Sequence, residues 1–424
     1  MSDSADSRYQ AWERNEEIRL FRDYLKIPSV HPDVDYDGCV EFLRRQAASL
    51  DLPVKVIEVN PKKPVVIISW EGTDPAATSI ILNSHMDVVP VYPERWTYPP
   101  FSAHMDAEGR IYARGSQDMK CVGMQFLAVV RALKRDGVRL KRTLHVMFVP
   151  DEETGGVLGM KDFVTTDHFK ALNCGFAIDE GLASENEVFK LFYGERLRRS
   201  MFLVSSELST THIWRFAEVF FYISGTPGHG SLLLEGTAGE KARKLLDRLY
   251  DFRSSEAKKL EDNPELTIGD TTIVNLTMME GGVQSNVVPP ELMICTDIRV
   301  APTEDIDQFE AQIARWCEES GGGIRADFGV KDPVVGVTKL DSSNPFWGPF
   351  KAALDELGLK IKPQIMPGAT DVRFIREQGI PAVGFSPMNN TPVLLHDHDE
   401  FLQADTYLKG IEIYRKIVVG VANV

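Results

Sequence analysis

Between residues 65 and 179 the chain repeats one pattern, a short and nearly continuous apolar run followed at once by polar residues. The runs are "VVIISW" (65–70), "TSIILNS" (78–84), "TLHVMFV" (143–149) and "CGFAID" (174–179). Each is too short for a typical helix and is apolar at consecutive rather than alternate positions, the pattern of a strand buried on both faces. Helical spacing of apolar residues fills the intervals, at 9–27, 38–50, 119–135 and near 157–166. The alternation predicts an α/β fold, with helices on both faces of a mixed, mostly parallel sheet.

The texture changes between about 190 and 330. One long helical stretch at 238–261 and another at 304–319 lie among the strand-like runs "TTIVNLTMM", "LMICTDIRV" and "IRADFGV". After 331 helical patterns return near 345–357, 370–377 and 402–418. The expected organisation is a host unit (1–189 and 331–424) interrupted by a smaller α+β unit (190–330).

Charge and composition exclude several function classes. Among 424 residues, 62 acids against 47 bases give a formal charge of -15, the wrong sign for tracking nucleic acid or an anionic membrane. There is no apolar run of membrane-spanning length, and "MSDSADSRYQAWERNEE" has neither a basic start nor an apolar signal core. The five cysteines, Cys39, Cys121, Cys174, Cys295 and Cys317, are scattered and never form a C-x-x-C pair, which argues against a disulfide frame or a thiolate zinc site. A cytoplasmic protein is expected.

The chemistry-bearing residues cluster at strand ends. His85 and Asp87 in "NSHMDVVPVY" are two apart, so in a strand they face one space together. Asp118 in "YARGSQDMK" precedes a helix; Asp151, Glu152 and Glu153 in "VPDEETGG" follow one strand; Asp179 and Glu180 in "AIDEG" follow another; His396 and His398 lie in "LLHDHDE". Ligands of open α/β sheets bind beyond the carboxyl ends of the strands, where these groups converge. Alone, each has a plain alternative: a hydrogen-bonded loop pair, a solvated acidic turn, exposed loop histidines. Together, two histidines and several carboxylates form a nitrogen/oxygen ligand set suited to Zn²⁺, with a bridging carboxylate able to hold two ions about 3.5–4 Å apart. Without thiolates such a site is catalytic, and a further carboxylate can serve as the proton acceptor.

These motifs, followed in order by "GTPGHGS", "GGVQSNVVP", "DIRVAP", "MPGATDVRF" and "FSPMNNTPVLLHDHDE", resemble the dinuclear zinc amidohydrolases and exopeptidases of the aminoacylase and glutamate carboxypeptidase superfamily over nearly the whole chain. The resemblance implies two Zn²⁺ per subunit, one held by His85 and Glu180, the other by Glu153 and His396, with Asp118 bridging. It makes Glu152 the general base and Asp87 a supporting carboxylate that orients the His85 ring, with Asp179 and His398 as near misses. It further implies a homodimer, in which the inserted unit serves as a lid and dimerisation domain and presents His229 to the partner subunit's active site. Arg299 would hold the substrate carboxylate, and Asn286 and Gly368 would contact substrate or line its pocket. The implied reaction is hydrolysis of a small-molecule N-acyl-L-amino acid to a carboxylate and a free amino acid. A dipeptidase or carboxypeptidase of the same superfamily is the alternative, and a non-catalytic metal-binding protein on this fold is a third reading. One stretch departs from the family: "LRRSMFLVSSELSTTHIW", about 197–214, is extra and falls where the inserted unit's first strand belongs.

Overall fold

The computed structural model describes residues 2–200, 219–328, 330, 331, 333 and 335–424. The chain divides into two compact units, one of residues 1–194, 336–364 and 370–424, the other of residues 195–335 and 365–369.

The first unit is built on an eight-stranded sheet in the order Val54–Asn60, Lys63–Trp70, Leu144–Val149, Ser79–His85, Cys174–Asp179, Ala382–Phe385, Phe189–Glu195, Ile361–Met366. Its four central strands, Leu144–Val149 through Ala382–Phe385, run parallel, and antiparallel pairs flank them. The apolar runs therefore form the mixed α/β sheet they predict. Their consecutive apolar residues separate by period two into distinct cores. Ile80, Leu82, Val66, Ile68, Val146 and Phe148 pack with the helices Glu16–Leu25, Lys120–Arg135 and Ala404–Ala422. Ile81, Val65, Ile67, Met147 and Val149 pack with Met160, Phe163 and the short helix Val372–Glu377. A strand with apolar side chains on both faces needs cover on both, and the sequence supplies it. Gly123, in the Lys120–Arg135 helix, allows the close approach: a Cβ there would lie 2.6 Å from Phe148 and from Ser84 Oγ.

One helix prediction divides. The 9–27 pattern is two helices, Ser2–Arg14 and Glu16–Leu25, separated at Asn15. The Asn15 side chain accepts from the backbone N–H of Glu17 (3.0 Å) and Ile18 (3.2 Å), capping the second helix where the periodicity alone runs on.

In the second unit, an antiparallel sheet packs its apolar face on the helices Ala238–Asp262 and Ile306–Glu319, through Phe221, Ile223, Leu245, Ile294, Phe309 and Trp316. The long helix starts at a capping box formed by Thr237 and Glu240. The ladder along Glu291–Val300 redraws the extra segment. Ile298 faces Arg199 and Thr296 faces Val219, so two steps along one strand correspond to twenty along the other. Leu197–Ser200, the first four residues of the expected extra segment, is thus a strand of the sheet. The rest of the expected segment, 201–214, lies outside the described residues. Joining Ser200 to Val219 keeps every described pair in register, so the deletion of 201–218 is expected to melt no lower than the parent chain. A drop of several degrees in a calorimetric scan would show that these residues contribute to the fold.

No described helix is long and apolar enough to cross a membrane.

Candidate metal centre

The polar residues at the strand ends meet in the first unit. His85 closes the wholly buried strand Ser79–His85 and pairs with Val149, the last residue of the strand that precedes the acidic turn. Its Nε2 lies 3.0 Å from Asp118 Oδ1, 3.5 Å from Glu180 Oε1 and 4.0 Å from Glu152 Oε2. His396, half-exposed on a loop, places Nε2 3.2 Å from Asp118 Oδ2 and 3.1 Å from Glu153 Oε2. Each oxygen of Asp118 therefore serves a different histidine. Two sets of ligand atoms lie within 4.8 Å of one another, His85 with Glu152 and Glu180, and His85 with Asp118 and Glu153.

The donor set fits divalent cations. Asp118, Glu152, Glu153 and Glu180 are buried or nearly so around two imidazoles, and Glu153 Oε1 is buried with no hydrogen-bond partner. Burying like charges is costly unless cations or protons compensate. The proton affinities register that strain. Burial pushes the Glu152 and Glu180 carboxyls well up, with Asp371 and Asp118, respectively, adding repulsion. Hydrogen bonds to Asp118 and Glu153 lift His396 to about 10. Burial opposes charge on His85 and on Asp118, yet the neighbouring carboxylates push His85 well up, and hydrogen bonds from His396 and His85 hold Asp118 well down. Cations in place of the protons would relieve the same crowding.

Three local devices aim these groups. The acidic turn passes through left-handed backbone at Asp151 (φ 68°), Gly155 (φ 97°) and Gly156 (φ 63°), so it reverses sharply after Val149. A Cβ at Gly156 would fall 2.3 Å from Asp371 Oδ1, so no larger residue fits there unless that carboxylate moves. Lys63 Nζ pairs with Asp151 Oδ1 at 2.5 Å. Lastly Glu400, fully buried, accepts from Arg114 Nη1 (2.7 Å) and from the backbone N–H of Gln117 (2.6 Å), Gly115 (3.2 Å) and Asp118 (3.3 Å). One carboxylate thereby ties the His396 loop to the loop that carries Asp118.

The role expected of Asp87 changes. Its carboxylate stands 3.8 Å from His85 Nδ1, whereas its own main-chain carbonyl takes that nitrogen at 2.9 Å. The backbone, not the side chain, sets the imidazole orientation, because Asp87 lies just past the strand end and turns its carbonyl onto the ring. The carboxylate instead accepts from the backbone N–H of Glu152 and Glu153, at 3.3 and 3.0 Å, and from His31 Nε2 at 2.8 Å. Sequence reasoning misses His31 and Glu400: Glu400 lies at the end of "LLHDHDE", but nothing local marks His31. Asp179, buried at the end of its strand, and His398, whose ring meets Tyr92 edge-on, fall outside both ligand sets.

The remaining candidates belong to the second unit. His229 pairs with Val287 in a two-residue ladder, and Gly230 N donates to Asn286 O at 2.8 Å, so His229 and Asn286 are neighbours on paired segments. His229 Nδ1 meets Ser231 Oγ at 2.8 Å. Arg299 lies on the strand Glu291–Val300 with Nε 2.9 and 3.1 Å from the two oxygens of Asp297. Gly368 follows Pro367, whose carbonyl accepts from Arg196 Nε (3.0 Å) and Nη2 (2.8 Å).

Comparisons agree with this architecture. Rat aminoacylase-1A (Rattus norvegicus) is 46% identical over 407 residues, 96% of this chain and 95% of that protein. Human aminoacylase-1 (Homo sapiens) is 45% identical over 412 residues, 97% of each chain, and aminoacylase-1 of Dictyostelium discoideum is 41% identical over 423 residues, 97% of this chain and 98% of that one. Among solved structures, the M20 family metallo-carboxypeptidase Sso-CP2 from Sulfolobus solfataricus shares the fold at a TM-score of 0.68 and 19% identity, covering 96% of this chain and 99% of its own. The Bacillus subtilis YXEP protein, described as a dinuclear metal binding peptidase from the M20 family, does so at a TM-score of 0.67 and 17% identity, covering 97% of this chain and 99% of its own. Together with a family model that matches residues 81–419, the relatives and the strand-end cluster of histidines and carboxylates establish that the chain belongs to peptidase family M20/M25/M40.

Proposed function

We propose that the protein is a metal-dependent amidohydrolase that cleaves N-acyl-L-amino acids, such as N-acetylmethionine, into a carboxylate and a free amino acid. The observation that carries this reading is the joint presence of the buried ligand cluster and near-full-length relatives named aminoacylase-1 at 45–46% identity.

Two Zn²⁺ ions are the proposed occupants, held by His85 and Glu180, by Glu153 and His396, and by Asp118 between them. Bound there, the ions would polarise the scissile carbonyl and acidify the attacking water. The chain's own groups do the rest. Glu152, whose carboxylate comes no nearer than 4.0 Å to His85 Nε2 and is raised by burial, accepts the proton from water and returns it to the departing amine. Arg299 pairs with the free carboxylate of the substrate. Asn286 and Gly368 border the substrate, and His229 of one protomer supports the developing oxyanion in its partner. A homodimer is supported by the strand Ile273–Gly281, which pairs only with Glu291–Val300 among the described residues and carries Met278 and Met279, 42% and 52% exposed. Five free cysteines suit a reducing compartment, and the cytoplasm is the proposed location.

The deciding assay is release of amino acid from N-acetylmethionine against release from methionyl dipeptides, each with and without a chelator. Chelator-sensitive preference for the acylated substrate is expected, and a preference for the dipeptide would assign a peptidase instead. Metal binding should also release protons, because His396 at about 10 is protonated at neutral pH and must lose its proton to ligate. The apparent affinity of metal-free protein should therefore rise with pH between 6 and 8, by up to roughly tenfold per unit for each proton displaced. Titration calorimetry in buffers of different ionisation enthalpy checks this, and an affinity independent of pH would remove His396 from the ligand set.

A further inference from the structure

We propose that His31 is a positioning residue for this reaction: by holding the Asp87 carboxylate, it fixes the turn that carries Glu152 and Glu153. The inference rests on Glu152 being the general base.

Asp87 is completely buried and its carboxylate accepts three hydrogen bonds. Two come from the main chain of the acidic turn, Glu152 N at 3.3 Å and Glu153 N at 3.0 Å, and the third and shortest from His31 Nε2 at 2.8 Å. The turn itself is a single 3₁₀ turn, Glu152–Thr154, between left-handed residues, with no long element to stiffen it. Its N–H groups face the start of that turn, where a carboxylate both satisfies the donors and anchors the backbone. The two amides take different oxygens, Glu152 N on Oδ1 and Glu153 N on Oδ2, and His31 Nε2 adds the shortest contact, on Oδ2. His31 is thereby the one side chain among these three donors, and it comes from outside the turn.

His31 is itself anchored to the strand end it serves. Val88 N donates to Ser29 O at 2.9 Å, His31 N donates to Val88 O at 3.1 Å, and Ser29 Oγ donates to Met86 O at 2.6 Å. The imidazole, with its side chain only 10% exposed, is thus delivered from a backbone segment stitched across residues 86–88. Since His85 Nδ1 is taken by the Asp87 carbonyl, the side chain of Asp87 is available for this bridge between His31 and the turn. The Asp87 carboxylate can only accept, so the contact requires the ring tautomer with the hydrogen on Nε2. Displacement of a base by a fraction of an ångström reduces turnover more than substrate affinity, which separates positioning from binding.

The test compares metal-loaded parent, His31→Ala and His31→Gln, the last because its amide N–H can donate to the same carboxylate. Deuterium exchange of the peptide spanning residues 150–156 should quicken at least roughly tenfold in His31→Ala, the scale of one lost hydrogen bond to a charged group, and return towards parental in His31→Gln. Exchange in the 119–135 helix should not change. On N-acetylmethionine, kcat should fall roughly ten- to a hundredfold in His31→Ala with KM and metal content nearly unchanged, and His31→Gln should recover most of it. Parental exchange at 150–156 in His31→Ala, or a loss of kcat that tracks lost metal and is not recovered by glutamine, would overturn the proposal. Failure of the parent to hydrolyse N-acetylmethionine would overturn the substrate reading instead, while the exchange comparison would still decide the role of His31.

Discussion

Glu152→Gln is expected to keep its metal and lose nearly all turnover. The substitution preserves size and the backbone N–H that donates to Asp87, so the turn should stay docked. It removes the only property the proposed role requires, a carboxylate that can take and return a proton. General-base removal typically costs roughly 10²–10⁴-fold, and the upper part of that range is expected because the other carboxylates of the two ligand sets, Asp118, Glu153 and Glu180, all have proposed ligand roles. The measurement is kcat on N-acetylmethionine beside metal content by mass spectrometry. Parental turnover in the glutamine variant would show that another group carries the proton, and turnover lost together with metal would make Glu152 a ligand, as its place beside His85 and Glu180 also permits.

Asp118→Ala should have the broadest effect of any single change at the site. Its two oxygens meet His85 at 3.0 Å and His396 at 3.2 Å, so one substitution withdraws a ligand from both proposed ions. Both metals should be lost or bound far more weakly, and activity should fall to the blank. Asp118→Asn is the informative companion. It keeps the shape and the backbone N–H that donates to Glu400, but one of the two contact oxygens becomes an N–H₂ that cannot ligate. Retention of a single ion in the asparagine variant would support the bridging role, whereas full occupancy and parental activity would exclude it. Substitution of Glu400 should act at one remove, through the loop 114–118 that it holds.

The site was partly legible in the sequence for a clear reason. Strand ends are marked by the stop of an apolar run, so His85, Glu152, Glu153 and Glu180 announce themselves as neighbours in space. His396 was visible only through its motif, because the loop around it has no periodicity, and its backbone is left-handed with φ 63°. The job of Asp87 is not legible in the sequence, because spacing reports which side of a strand a residue faces, not whether its carbonyl or its carboxylate will meet the imidazole. His31 lies 56 residues from Asp87, and no local rule pairs them. Glu400 lies in the "LLHDHDE" motif, yet its work is to satisfy amides 282–285 residues away and the Arg114 guanidinium 286 residues away.

By itself, then, the sequence determined the α/β class, the two sheet faces that need cover, and the residue types that gather at the strand ends, since these follow from hydrophobic period and ligand chemistry. It also placed the departure within the inserted unit's first strand. Only the tertiary structure decided which hydrogen-bond acceptor serves which histidine, that Asp118 divides its two oxygens between them, and that Leu197–Ser200, the start of the expected extra segment, pairs in the sheet. Those outcomes depend on register and on side-chain direction across long loops, and neither is written into the spacing of residues along the chain.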